Sequence, residues 1–242
     1  MVEFLGLPGA GKTTLCNHLA DALRARRIPV EIRPGHTMGS HRAWRLAKLG
    51  QVVGEIARHP GRAYRFARAV TASGQRSPID ALKVLHNWLF VCSLLRKPVV
   101  GVCLIDQGVA QAMWSVALSA RDGTTVRTFR SIAADIRPPD LLVVVSAQPA
   151  TVRSRLAARV ARTSRLEAAP DGPAMRRAAM LIDELATMIA GSADGRTFPY
   201  VLRIDNDRQG HADRAAALLV DRILQELADK HHAVAGGTGR HA

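Results

Sequence analysis

Apolar positions divide this chain into short continuous runs and longer stretches of helical period. VEFLGL (2–7) is an apolar run leading into a glycine-rich turn, so it predicts a buried strand. From Thr13 to Arg27, Leu15, Leu19, Ala22 and Leu23 recur at the helix period. PVEIR (29–33) predicts a second strand, ended by Pro34-Gly35. Residues 40–73 are helical in pattern, with Trp44, Leu49, Val52, Val53 and Ile56, and break near His59-Pro60-Gly61. Pro78 to Arg96 predicts a long helix, and PVVGVCLID (98–106) a central strand. Val109 to Ala120 and Thr125 to Ile136 are two further helical stretches. DLLVVVSA (140–147) is another buried strand, after which Pro149 sits at the favoured first position of a helix. Ala174 to Ala190 is helical, YVLRID (200–205) a fifth strand, and Ala212 to Ala228 a final helix. Residues 229–242, rich in Gly and His, are expected to be a flexible tail.

Continuous apolar strands alternating with helices call for an α/β fold, a parallel sheet covered on both faces. The expectation is one domain over residues 1–228, with a helical insert at 40–97. With 48% apolar residues, the 242-residue chain has ample material for a core. No segment has 18 uninterrupted apolar residues, and the run from Val2 stops at Gly6, too short for the core of a signal peptide. A cytoplasmic protein without a membrane span is expected. Cys16, Cys92 and Cys103 lack zinc spacing and are expected as buried, reduced thiols.

Charge changes the picture more. The chain carries a net +14, mostly arginine. From Ala22 to Arg76 there are 12 basic residues against only Glu31 and Glu55, and a second basic stretch runs from Arg153 to Arg177. A clustered positive field suits an anion: a nucleotide, a nucleic acid or an acidic lipid.

The sharpest chemistry lies at GLPGAGKTTL (6–15). Gly6, Gly11, Lys12 and Thr13 fit G-x-x-x-x-G-K-[ST], and the setting of strand, loop and helix is the one this motif requires. Gly6, Pro8, Gly9, Ala10, Gly11, Lys12, Thr13 and Thr14 would cradle phosphates. The backbone N–H groups and the positive helix end attract them, Lys12 reaches the β/γ-phosphates, and Thr13 offers a hydroxyl to Mg²⁺. A second acid must complete the metal shell. Asp106 ends an apolar run where a strand would deliver a carboxylate beside the loop, whereas Asp140 stands at the start of its strand and reads as a turn residue. No Asn-Lys-x-Asp guanine-reading motif and no Leu-Ser-Gly-Gly-Gln signature is present.

In this order the motifs resemble the thymidylate-kinase-like branch of the P-loop nucleotide kinases. The resemblance spans residues 2–228. RPGHTMG (33–39) is similar to the family's Glu-Pro-Gly-Gly-Thr-x-x-Gly, and LIDQG (104–108) occupies the place of its Asp-Arg-Tyr triplet. PPDLLVVVSAQPATVRSRLAAR (138–159) is similar to its Pro-Asp strand and Pro-opened helix with two arginines, here Arg155 and Arg159. ARTSRLE (161–167) lies in the lid position, and YVLRIDND (200–207) at the last strand and the loop near the donor base. The resemblance implies strand order 2-3-1-4-5, ATP as donor with Mg²⁺, and an Arg-rich lid at 160–173. It implies Arg162 and Arg165 at the transferring phosphoryl group beside Lys12 and Asp106, and Arg155 and Arg159 on the nucleotide side.

Two positions depart from the family pattern. Arg33 replaces the acid before Pro-Gly, and Gln107 replaces the arginine after Asp106. Both belong to the acceptor side, where Arg33, Gly35, His36, Thr37 and Gln107 are the candidate contacts. Arg42, Arg45, Lys48, Arg58, Arg62, Arg65, Arg68 and Arg76 surround that region, which favours a small anionic or nucleoside-like acceptor. A polynucleotide kinase or nucleic-acid-binding ATPase, and a non-catalytic ATP-binding partner protein, remain as alternatives; a homodimer is left open.

Overall fold

In the computed structural model, residues 1–33, 41–120, 139–158, 172–190, 200–207 and 211–237 are described. The elements in chain order are β1 (Val2–Gly6), α1 (Lys12–Ala25), β2 (Val30–Arg33), α2 (His41–Arg58), α3 (Pro60–Ala72), α4 (Pro78–Leu95), β3 (Val102–Ile105), α5 (Val109–Ser119), β4 (Leu141–Ser146), α6 (Pro149–Ala157), α7 (Pro173–Ala190), β5 (Tyr200–Asp205) and α8 (His211–Gly237). The five strands form a parallel sheet in the order β2-β3-β1-β4-β5. β1 lies at its centre, with all five residues buried.

Side chains of the central strands alternate between two apolar clusters. Val2 and Phe4 of β1 and Leu141, Val143 and Val145 of β4 meet Leu15, Leu19 and Leu23 of α1 and Leu219 and Ile223 of α8. Leu5, Leu142 and Val144 face the other way, onto Val109, Met113 and Val116 of α5 and Leu181 and Leu185 of α7. The second cluster continues outward through Trp88, Phe90 and Cys92 of α4 to Phe66 of α3. Edge-to-face ring pairs fasten it, Phe66 with Trp88 at 5.2 Å and Trp44 with Phe90 at 6.0 Å. α4 is, among the described residues, the one helix with the length and mean hydropathy (1.2) to cross a membrane. Its buried run Trp88–Cys92 lies in this cluster.

Helix starts follow their sequence signals. Pro60, Pro78 and Pro149 open α3, α4 and α6, and the Ser77 hydroxyl caps α4 by accepting from the Asp80 N–H at 3.1 Å. Two boundaries differ from expectation. The strand expected over 98–106 is confined to Val102–Ile105. Gly101 adopts φ +84° where a Cβ would stand 2.2 Å from the Pro29 carbonyl oxygen, so the chain turns there before it can pair. The last helix runs to Gly237 instead of ending at Ala228, so the expected tail from 229 is largely helical. Residues 229–235 contain no Pro or Gly, and the two glycines at 236 and 237 close the helix. The helix expected over Thr125–Ile136 and the lid segment 160–171 lie outside the described residues. All three cysteines are buried and free.

Candidate active site

The carboxyl ends of β1, β3, β4 and β5 deliver the chemistry to one edge of the sheet, where sites in such sheets lie. Gly6 leads from β1 into the loop that precedes α1. Gly11 caps α1 in the left-handed region, at φ 94° and ψ 22°, and a Cβ there would lie 2.2 Å from Asn206 Nδ2. Backbone and space together require glycine. The first turn of α1 has no side-chain cap and no acidic residue. The positive end of its dipole and its N–H groups therefore face the loop mouth uncompensated, a ready anion site.

Lys12 folds back over the loop and donates to the Gly6 and Leu7 carbonyl oxygens at 2.7 and 3.0 Å. Thr13 Oγ1 donates to Asp106 Oδ2 at 2.9 Å, joining the start of α1 to the end of β3. Asp106 Oδ1 is buried and has no hydrogen-bond partner among the described residues. Gln107, half-buried, follows directly. Among the described residues no group of three His, Cys, Asp or Glu side chains could cage a metal. Mg²⁺ is ordinarily held mainly by phosphate oxygens and water, so one hydroxyl and one carboxylate suffice for it. The bare, buried oxygen on Asp106 fits such a cation.

The loop is braced from behind. Arg155 of α6 donates to the Ala10 and Gly9 carbonyls at 3.2 and 3.5 Å and to the Asn206 carbonyl at 2.7 Å. Asn206, buried at the end of β5, donates from Nδ2 to the Ala10 carbonyl at 2.9 Å, and its own N–H donates to Ser146. Asp207 beside it accepts from the Gln148 N–H, which holds its carboxyl below the usual range. The neighbouring exposed Asp205 is pushed up by its hydrogen bond with Asp207. Arg155 thus shapes the loop from outside, through its carbonyls. Asn206 is a site residue the sequence reading missed; its signal was the NDR segment directly after a strand, where a polar residue meets the loop.

The expected site residues divide sharply. Lys12, Thr13 and Asp106 come together with the loop Gly6, Pro8, Gly9, Ala10, Gly11 and the exposed Thr14. Gly35, His36, Thr37, Arg159, Arg162 and Arg165 lie outside the described residues. Arg33 does not behave as an acceptor contact. Its guanidinium is buried, paired with both oxygens of Glu31 at 2.8 and 3.0 Å, and donates to the Leu94, Lys97 and Pro98 carbonyls at 2.6, 3.0 and 3.1 Å. The strand period of two places Glu31 and Arg33 on one face, and there they tie β2 to the end of α4. Asp140 lies at the far end of β4 and pairs with the Met1 ammonium, as a turn residue would.

The cationic field over 40–76 is also thinner than its sequence. Lys48 is buried and donates to Asn87, and Arg62 pairs with the buried Glu55 at 3.4 Å. Arg58 and Arg65 remain exposed.

No protein-family model matches the chain, and no curated protein matches it significantly.

Proposed function

We propose that this chain is an ATP-dependent phosphotransferase of nucleotide-kinase type, acting in the cytoplasm on a small anionic or nucleoside-like acceptor. One observation carries the reading. A P-loop threonine and a strand-end aspartate, 93 residues apart, meet at 2.9 Å, with one aspartate oxygen left bare and buried. A loop that served only as a turn would have no need of that unpartnered oxygen, which carries a desolvation cost.

The loop N–H groups and the α1 terminus bind the phosphate chain and fix its register. Lys12 exchanges its two carbonyl bonds for β- and γ-phosphate oxygens and draws off negative charge as the transition state forms. Thr13 and Asp106 would hold Mg²⁺, which would supply positive charge to offset that of the phosphates. Asp106 and Gln107 orient the acceptor oxygen, which bonds to the γ-phosphorus in line as the bond to the bridging oxygen breaks and ADP leaves. Arg155 and Asn206 keep the loop at the curvature this requires. The inward Lys48, Arg33 and Arg62 reduce the cationic surface open to a polynucleotide, which favours a small acceptor.

ADP release from Mg²⁺-ATP, measured across nucleotides, nucleosides and sugar phosphates, tests the reading. At least one acceptor should stimulate release, and Lys12→Ala and Asp106→Asn should each lower it by roughly 10²-fold or more. Failure of the wild-type protein to bind Mg²⁺-ATP by calorimetry, or binding with no acceptor response, would refute it. Binding without turnover beside a stable partner would indicate a non-catalytic role. Salt-sensitive affinity for DNA or RNA would indicate the nucleic-acid alternative.

A further inference from the structure

β1 carries one ionisable residue. Glu3 lies in the middle strand of the sheet with no exposure, between the buried Val2 and Phe4. A carboxyl in such a place costs free energy, and an apolar side chain would not. Its side chain turns to the α5 side of the sheet, where Oε1 accepts from the Ala110 and Gln111 N–H groups at 2.6 and 3.2 Å.

Helix α5 needs that acceptor. Its N-cap, Gly108, offers no side chain, and its first turn holds no acid. The N–H groups of that turn are left for a partner outside the helix. A serine or aspartate at 108 would supply one locally. Gly108 instead clears the way for Glu3: a Cβ there would stand 2.4 Å from Glu3 Cδ. A local cap would serve the helix alone, whereas this one ties the helix to the central strand.

The tie bears on Asp106. The link from β3 to α5 is only Asp106-Gln107-Gly108, and Glu3 sits at both of its ends. Ile105 stands opposite Glu3 in the parallel ladder, and the Ala110 and Gln111 N–H groups rest on the Glu3 carboxyl. Gln111 carries the connection on to the loop, its Oε1 accepting from the Gly6 N–H at 3.3 Å. Asp106, which meets Thr13 at 2.9 Å, therefore rides on a span fastened to β1 on either side. Thr13 belongs to α1, and α1 and α5 pack on opposite faces of the sheet. Their relative position is set through β1.

We propose that Glu3 is the positioning residue for Asp106: by capping α5 from within β1, it holds the Asp106–Gly108 turn where the Asp106 carboxylate and the Thr13 hydroxyl can share one Mg²⁺. This role rests on the phosphotransferase reading.

Calorimetric titration with ADP, in Mg²⁺ and in EDTA, tests it. Wild-type protein binds ADP more tightly in Mg²⁺, and Asp106→Asn loses most of that gain. Glu3→Leu, which removes the acceptor, reduces the gain by roughly 10-fold and leaves affinity in EDTA nearly unchanged. Glu3→Gln keeps an oxygen for the two N–H groups and retains the gain. The Glu3→Leu/Asp106→Asn double variant loses no more of it than Asp106→Asn, because a residue that acts through Asp106 has nothing left to act on. Gly108→Ala crowds the same carboxyl from the other side, at a negative φ, and reproduces the loss if Glu3→Leu does not fold. A wild-type protein whose ADP affinity ignores Mg²⁺ would overturn the phosphotransferase reading and this role with it. A wild-type gain that Glu3→Leu and Gly108→Ala leave intact, equal losses in Mg²⁺ and EDTA, or a double variant worse than Asp106→Asn would overturn the positioning role alone.

Discussion

Replacing Glu3 with glutamine should flatten the dependence of stability on pH. Glu3 stands in the central strand with no exposure to solvent. Its Oε1 accepts from the Ala110 and Gln111 N–H groups at 2.6 and 3.2 Å, at the start of α5, while Oε2 is buried without a hydrogen-bond partner among the described residues. Burial pushes the carboxyl up from its ordinary 4.5 to about 7, against the opposing pull of the Gln111, Ala110 and Val109 N–H groups. The folded state therefore holds a proton that the unfolded chain has released between these two values. Stability from this group is greatest below about pH 4.5, falls as pH rises, and is fully lost above about pH 7. At about 1.36 kcal/mol per unit the whole effect is about 3 kcal/mol, most of which falls between roughly pH 5 and pH 8. Urea denaturation of both proteins across that window measures it. Glu3→Gln keeps an oxygen for the α5 N–H groups but cannot ionise, so the stability difference between the two proteins should shift in favour of the variant by about that amount as pH rises. Parallel curves would refute the reasoning, because they would mean that Glu3 either finds a counter-charge or is already ionised at low pH.

Arg33→Met should cost about 2–4 kcal/mol in urea denaturation, since it strands the Leu94, Lys97 and Pro98 carbonyls, yet leave calorimetric ADP affinity unchanged in the folded protein. Gly11→Ala should lose roughly 1–3 kcal/mol of stability, measured the same way, and weaken ADP binding, because its Cβ would collide with Asn206 at a φ that L residues avoid. Asn206→Ala removes the brace on the Ala10 carbonyl and should weaken ADP binding roughly 5–10-fold in a calorimetric titration, with a small change in melting temperature.

The strands and most helices were legible because their signals are local. β1 and β4 are apolar without a break, as buried parallel strands must be. Pro60, Pro78 and Pro149 mark helix starts through their fixed φ. The P-loop is legible for the same reason: eight consecutive residues hold the motif, the glycine geometry and the helix start. Asp106 was legible as a strand-end acid, although only folding brings it to Thr13. The strand order was anticipated from resemblance alone, since parallel pairing joins segments that share no neighbouring sequence.

What the sequence by itself determined was where helices and strands form and which loop carries the phosphate-binding motif, because those depend on periods of two and 3.6 and on residue conformation. It did not determine which way the polar exceptions turn. Arg33 and Lys48 read as an acceptor contact and one of the cations around it, and Glu3 lay unmarked in an apolar strand, yet all three are buried and held by groups from distant segments: the carbonyls of residues 94–98, Asn87 with two rings, and the α5 N–H groups on one Glu3 oxygen. In α2 the apolar period correctly announced a helix. Only packing decided that Trp44 and Val52 face the core while Leu49, Val53 and Ile56 face out, because a helix apolar on two sides leaves the choice to its neighbours.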